Sequence, residues 1–381
     1  MAKKLSEISV LMISLDPQFL QADSAVFERH RKYAQHLKRL EVIVMAGPSR
    51  GQAIEQNNYV VRGVGGGLAA LWRAYYLAKV LFASASYDLI DTQDPHATGL
   101  IGCLLARRFH KPLEVHFHGD FWNNDYWLRE SWKNRIYNFL QKIIVRQASA
   151  IRVVSPIIKD KLLQSGIAEN KIAVINTPIN EELFGQRADA TRVKQTRDKY
   201  NKKILLFVGR LVPAKNLAFM LRGIKELKDR RDDFVLLIIG EGAERNKLLF
   251  LIEQYHLTDT VFLLGEKESH HLLDFYQAAY LNLLLSTNES FGKVIIEAGW
   301  QATPTLASHT LGAETIITDK RNGWLVPINH LPATIDKLDL LLSDQSAVQR
   351  TGQRAQTDFL ENYNQAKTYQ KILDFWQKIV S

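Results

Sequence analysis

Short, nearly continuous apolar runs alternate with longer amphipathic stretches along most of the chain. The runs at 8–15, 41–46, 89–92, 113–117, 150–154 and 171–175 predict six strands. A second series, at 203–208, 234–239, 260–264, 281–285, 305–307 and 323–326, predicts six more. Apolar on both faces, they suit strands buried within parallel sheets rather than half-solvated ones. Intervening amphipathic segments, such as 25–38 and 214–228, supply the crossover helices that parallel pairing requires.

Residues 184–202 break this rhythm. They are polar and basic and show no apolar stripe, so they predict a linker. The expected organisation is two α/β domains of the doubly wound type, 1–183 and 203–363, facing across a cleft. A last apolar-striped helix, about 364–381, is expected to pack back on the first domain. Open parallel sheets bind ligands beyond the carboxyl ends of their strands, so the chemistry is sought there.

Composition narrows the function. The chain has 381 residues, 46% of them apolar and 23% charged, which is ordinary for a globular protein. A single cysteine, Cys103, allows neither an internal disulfide nor a cysteine metal cage. No run approaches the ~18 apolar residues of a membrane span. The basic start, 1–7, leads into 8–15 with no small-residue cleavage site, so it reads as a first strand. The formal charge of +9 favours anionic partners: phosphates, a lipid headgroup surface or nucleic acid. No zinc-finger spacing or RNA-recognition aromatic signature is present, so no nucleic-acid partner is expected.

Two clusters carry candidate chemistry. Gly209-Arg210-Leu211-Val212-Pro213-Ala214-Lys215-Asn216 follows the strand at 203–208. Gly209 permits close backbone approach, Arg210 offers a planar fork and Lys215 a point charge. A helix starting near Ala214 would add its free amides, and a diphosphate is the natural occupant. Asn288-Glu289-Ser290-Phe291-Gly292-Lys293-Val294-Ile295-Ile296-Glu297 follows the strand at 281–285. If Glu289 caps a helix that continues through Glu297, their carboxylates stand roughly 12 Å apart along it. That separation suits one carboxylate on a sugar and the other on a ribose better than a catalytic pair. Either cluster alone is also compatible with a surface turn or an ordinary amphipathic helix.

Together, in order and spacing, the clusters resemble the donor site of the family 4 retaining glycosyltransferases, which have the GT-B fold. The first matches that family's G-R-L-x-x-x-K-N/G motif and the second its E-S-F-G-x-x-x-x-E motif. Gly240-Glu241-Gly242, Gly265, Gly312-Ala313-Glu314 and Asn322-Gly323-Trp324-Leu325-Val326-Pro327 extend the likeness over about 203–330. The resemblance implies a nucleotide-diphosphate sugar donor, UDP- or GDP-linked, and no further cofactor. Arg210 and Lys215 would bind the diphosphate, Glu289 the sugar and Glu297 the ribose. Gly209, Ser290, Phe291, Gly292 and Val294 would line the donor, Gly240 and Gly242 would leave it room, and Gly265 and Glu266 would lie near the base. His118, after the strand at 113–117, resembles the family's strand-end histidine that reaches the reacting sugar. His116 alternates with it, so one of the two is expected to face the site, and Asp120 is a candidate to orient the loop.

The sequence departs from the family pattern in places. The stretch 16–23 has no glycine where members often carry a Gly-Gly loop, and 176–180 lacks the expected Asn-Gly. Gly63-Val64-Gly65-Gly66-Gly67 reads as a flexible turn or a mobile acceptor loop. No Asp-x-Asp occurs, so metal-independent transfer to a glycan or lipid-linked acceptor is expected, in cell-surface polysaccharide or glycolipid synthesis. The aromatic, apolar and basic mixture at 68–82, with Trp122, Trp127, Trp132, Lys133 and Arg135, suggests a cytoplasmic protein touching the inner face of a membrane. The competing readings are a sugar-nucleotide epimerase of the same fold, a catalytically silent nucleotide-sugar-binding protein and a nucleic-acid-binding protein.

Overall fold

The computed structural model describes residues 3–179 and 181–381. The chain forms two compact units, one comprising residues up to Thr177 together with Ala366–Ser381, the other Pro178–Gln365. In the first unit β1 (Ser9–Ser14), α1 (Ala25–Ala34), β2 (Arg39–Val44), β3 (Ala53–Gln56) and β4 (Tyr59–Gly63) come first. Then follow α2 (Ala69–Ser84), β5 (Leu89–Thr92), α3 (Ala97–Phe109), β6 (Leu113–Phe117), α4 (Asp125–Glu130) and α5 (Trp132–Gln147). β7 (Ala150–Val153), α6 (Pro156–Gln164) and β8 (Ile172–Val174) complete the run.

The second unit holds α7 (Glu181–Phe184), α8 (Ala190–Tyr200), β9 (Lys203–Val208), α9 (Leu217–Lys228), β10 (Phe234–Ile239) and α10 (Arg245–Gln254). It continues through β11 (Val261–Leu263), α11 (Ser269–Ala278), β12 (Leu281–Leu284), α12 (Lys293–Trp300) and β13 (Thr305–Ser308). α13 (Leu311–Ile316), β14 (Trp324–Val326), α14 (Leu331–Ser343) and α15 (Gln345–Asn362) close it, and α16 (Gln365–Val380) carries the chain back into the first unit.

Every strand read from the apolar runs is present, displaced by at most two residues at an end. The hairpin β3–β4 was not foreseen. Its edge strand is four residues long, mostly exposed and polar, so no apolar run marks it, and Asn57 turns the chain at φ 54°. The linker expected at 184–202 needs correction, because the chain passes between units near Thr177 and Pro178. Most of that segment is α8, capped by Asp189, whose carboxylate accepts from the amides of Thr191 and Arg192. α8 lacks an apolar stripe because polar contacts anchor it to α11. Arg192 Nε donates to Asp274 at 2.6 Å and Arg197 Nη2 to the Gln277 carbonyl at 2.6 Å. Asn180 lies outside the described residues, so the expected departure at 176–180 is described only as far as Ile179.

The first sheet has the order β3-β4-β2-β1-β5-β6-β7-β8, parallel except for the β3–β4 hairpin. The second is wholly parallel, in the order β11-β10-β9-β12-β13-β14. Crossovers between parallel strands are right-handed, so the direction of travel across the sheet decides which face each helix covers. In the second unit β9 is flanked by β10 and β12, and the path reverses there. That reversal is a topological switch point, where loops diverge and leave a crevice.

The terminal helix α16 completes the core of the first unit. Ile372, Leu373 and Trp376 are buried among β1, β2 and α1 residues such as Val10, Val42 and Phe27. Trp376 is fully buried, and its indole N–H donates to Glu114 Oε2 at 2.6 Å. No helix among the described residues is long and apolar enough to cross a membrane.

Trp376→Ala is expected to remove about 3–5 kcal/mol of stability. Trp376→Phe keeps most of the packing but strips Glu114 of its donor, and should cost about 1–3 kcal/mol. Urea denaturation followed by circular dichroism checks both.

Candidate active site

Adjacency of β9 and β12 explains why two clusters more than seventy residues apart in sequence meet. The loop after β9 carries Arg210 and Lys215, and the loop after β12 carries Glu289. Their backbones are tied, with Thr287 N–H donating to the Ala214 carbonyl at 3.0 Å. Asn216 Nδ2 donates to the Leu285 carbonyl at 3.2 Å and to Asn329 Oδ1 at 2.9 Å. On this frame the Lys215 ammonium donates to Glu289 Oε2 in a short, partly exposed ion pair. Arg210, on the same loop as Lys215, is exposed, and no carboxylate among the described residues pairs with its guanidinium. The result is a cationic group and an ion pair at the carboxyl edge of a parallel sheet.

Two details of the expected geometry change. The helix after the first cluster begins at Leu217, not near Ala214, because 213–215 form a 3₁₀ turn and Asn216 is left-handed at φ 57°. The amides of Lys215 and Asn216 are spent on the Val212 and Pro213 carbonyls. In the second cluster α12 begins at Lys293 and Gly292 occupies the cap position, so Glu289 belongs to the preceding loop. The helical rise therefore does not set its separation from Glu297.

Glu297 is buried on α12, where Tyr276 Oη donates to its Oε2 at 3.0 Å and Lys293 Nζ lies 3.6 Å from Oε1. Burial first, and then the Glu297 charge, push the Tyr276 phenol well above its usual range. Glu297 is thus a preset carboxylate with one oxygen already engaged. Phe291 is buried against Tyr363 with ring centroids 6.2 Å apart, Ser290 and Val294 are half-buried, and Glu266 is exposed after Gly265.

Gly240 and Gly242 leave room for the protein's own backbone. A Cβ at Gly240 would meet the Gly209 carbonyl oxygen at 2.0 Å, and one at Gly242 the Leu211 carbonyl oxygen at 2.4 Å. The loops after β9, β10 and β11 are laced edge to edge. Leu211 N–H donates to the Glu241 carbonyl at 2.9 Å and Gly240 N–H to the Gly265 carbonyl at 2.9 Å. These glycines position the first cluster indirectly. Gly312 does the same for the second, its N–H donating to the Glu289 carbonyl at 2.7 Å.

In the first unit the carboxyl ends of β5 and β6 carry a separate polar network. His118 follows β6 with its ring open to solvent, and its Nε2 lies 3.1 Å from Gln93 Oε1. Gln93 Nε2 donates to Asp91 Oδ1 at 2.7 Å. His116 lies on the same side, its ring centroid 5.4 Å from that of His118, but is buried, Nε2 lying 3.0 Å from Asp91 and 2.9 Å from Glu114, with Arg152 Nη2 2.6 Å from Nδ1. Of the two histidines only His118 is presented at the surface. Enclosing protein first, then the positive charges of His116, Arg152 and Arg29, draw its imidazole well below the ordinary range.

Asp91, Glu114 and His116 present ligand atoms close enough to share a metal ion, but Arg152 already supplies positive charge to this cluster. Asp120 is buried and holds its loop, accepting from Asn124 Nδ2 at 2.8 Å and Lys161 Nζ at 2.6 Å. The glycine-free loop after β1 buries Phe19, whose ring is tilted against that of His30 with centroids 4.4 Å apart. The glycine-rich turn at 63–67 is pinned by Arg73, which donates to the carbonyls of Val64 at 2.6 Å and Gly66 at 3.0 Å. A cavity of about 760 Å³, lined by Arg197, Lys203, Tyr280 and Gln349 among others, opens at the amino ends of the second sheet and contains none of the candidate residues.

Sequence reasoning did not find Thr287, Tyr276 or Gln93 as parts of these sites. Asn216 was readable as part of the first motif, but its bonds to Leu285 and Asn329 are long-range. Tyr276 carried no signal, since its partner lies one helix away.

The profile described as Glycosyl transferases group 1 matches residues 189–358, and that described as Glycosyltransferase Family 4 matches 31–183. The chain is 25% identical over 334 residues to D-inositol 3-phosphate glycosyltransferase of Corynebacterium glutamicum, covering 84% of this chain and 77% of that protein. It is 24% identical over 231 residues to N-acetyl-alpha-D-glucosaminyl L-malate synthase of Bacillus anthracis, a match spanning 60% of each chain. In fold it is similar to HepE of Anabaena, solved in complex with UDP, with a TM-score of 0.80 and 18% identity over 97% of this chain and 100% of that one. With the motif residues gathered at one strand reversal and both family profiles matched in succession, the chain is a glycosyltransferase of family 4, with the GT-B type of fold.

Proposed function

We propose that this glycosyltransferase takes a sugar from a UDP- or GDP-linked donor and passes it, with retention and without a metal, to a glycan or lipid-linked acceptor. The process is placed in the cytoplasm, in cell-surface polysaccharide or glycolipid synthesis. The observation that carries the donor assignment is the meeting of Lys215 and Glu289 at the β9–β12 switch point, on a loop that also carries exposed Arg210. Binding of UDP or UDP-glucose by structurally similar HepE supports a nucleotide-sugar donor. Inositol phosphate is a competing acceptor class, because several relatives are named for it.

In this reading Arg210 and Lys215 stabilise charge on the diphosphate as the bond from the anomeric carbon to the phosphate oxygen breaks. The bonding electrons leave with that oxygen. The acceptor hydroxyl attacks the same face and gives its proton to the departing phosphate oxygen. Glu289 holds sugar hydroxyls and orients Lys215, while Glu297, fixed by Tyr276, receives the ribose. His118 offers a neutral imidazole to a sugar hydroxyl.

A thermal-shift screen with UDP-, GDP- and ADP-sugars should show stabilisation by one of the first two series. Addition of EDTA should leave the transfer rate unchanged. Lys215→Ala and Glu289→Ala are each expected to lower kcat/KM by about 10²–10³, the range for losing one charge-stabilising group, with unchanged circular dichroism. Retention of full activity by Glu289→Ala would sink the assignment. Epimerised sugar nucleotide released without transfer would favour an epimerase.

Because His118 is held below the ordinary imidazole range, it should stay neutral as pH falls from 8 to 6. An unperturbed imidazole titrates near pH 6.5 within this window. Histidine-labelled NMR, assigned by comparison with His118→Asn, checks this. A normal titration would contradict the charge argument.

A further inference from the structure

The eight-stranded sheet carries α2, α3 and α5 on one face, because the β4→β5, β5→β6 and β6→β7 crossovers all travel in the same direction. α2 packs beside α3, and α3 beside α5, so the three form one layer. Their outer surface is unusual. On α2, Leu68, Trp72, Tyr76 and Val80 recur every fourth residue and are all exposed, Trp72 by 70%. On α5, Trp132, Ile136, Phe139 and Ile143 form a second exposed stripe, with Trp132 69% and Phe139 65% accessible. Leu104 of α3 is exposed on the helix between them.

Charge on the same layer is one-sided. The three helices hold eight Lys or Arg side chains and not one Asp or Glu. Arg73 is turned inward onto the 63–67 loop, but Lys79, Arg107, Arg108, Lys133, Arg135 and Arg146 are exposed. Lys79 Nζ lies 5.5 Å from the Tyr76 ring centroid, so cation and aromatic stand together. Not every expected aromatic belongs to this surface. Trp122 is buried and bonded to Ser165, and Trp127 stacks on His96.

Exposed aromatic and aliphatic stripes on three helices whose charges are all cationic fit an interface that is apolar below and negatively charged above, while the exposed acids Asp125 and Glu130 belong to the adjoining α4. We propose that the α2–α3–α5 face docks on an anionic lipid bilayer, with the Trp72 and Phe139 side chains entering the headgroup–acyl boundary and the cations meeting lipid phosphates. Amphipathic helices of this composition lie in the interface plane, buried about 5–10 Å. Each cation near an anionic leaflet adds roughly fivefold to the binding constant. The absence of acidic side chains from these three helices matches the single sign of charge on an anionic leaflet. The inference stands on the first unit alone and does not depend on the donor reading. If both hold, the enzyme works where a lipid-linked acceptor resides.

The test is co-sedimentation of the full chain with vesicles of phosphatidylcholine alone and of phosphatidylcholine with about one-third phosphatidylglycerol. Binding to the anionic vesicles, weakened at high salt, and little binding to the neutral ones is the expected result. Two double variants, Trp72→Ser with Phe139→Ser and Lys133→Glu with Arg135→Glu, should each weaken it at least tenfold while thermal unfolding stays unchanged. Brominated acyl chains should quench tryptophan fluorescence in the parent and less in the Trp72→Ser variant. Unchanged binding by both variants would overturn the proposal. So would failure to bind anionic vesicles, or a dimer in analytical ultracentrifugation that both variants abolish. The donor thermal shift, read on the same samples, separates failure of this inference from failure of the donor assignment.

Discussion

Right-handed crossovers tie the direction of travel across a parallel sheet to the face each helix covers, so covering both faces requires the chain to reverse beside a central strand, and the candidate site depends on that reversal. In the second unit it falls between β9 and β12. Loops leaving these two strands diverge to opposite faces, yet their first residues remain neighbours. Lys215 and Glu289 are brought into contact by this constraint, and the Thr287–Ala214 and Asn216–Leu285 bonds fix the distance. Glycines at 240, 242 and 312 then allow the adjoining loops to press against this frame, with less than 3 Å between any added Cβ and a neighbouring backbone atom.

The first unit is organised around a different cost, that of burying charge. Glu114, His116, Asp91 and Arg152 lie inside or at the end of its sheet, where an unpaired ion would be expensive. Each is answered by another, and Trp376 from the far end of the chain completes the set around Glu114. The same set connects through Gln93 to His118, where burial first and then the charges of His116 and Arg152 draw the imidazole below its ordinary range. Thus the terminal helix, the core and the surface histidine belong to one electrostatic arrangement. The outer helices of this unit carry the opposite economy, exposing aromatics and cations and no acidic side chain.

Apolar periodicity determined the strands, because a strand buried on both faces must be apolar along its length, and that is a local property. It also determined the two motifs, since the turn chemistry of glycine, cations and carboxylates is written consecutively in 209–216 and 288–297. Only the tertiary structure decided that Lys215 meets Glu289, that Glu297 is already bonded to Tyr276 and that Gly240 serves a neighbouring loop. It also decided that 184–202 is mostly a packed helix, because its anchors, Asp274 and the Gln277 carbonyl, lie some eighty residues away. The physical reason is common to all four. Hydrogen bonds and close backbone approaches between distant segments leave no periodicity in sequence, whereas burial on both faces of a sheet does.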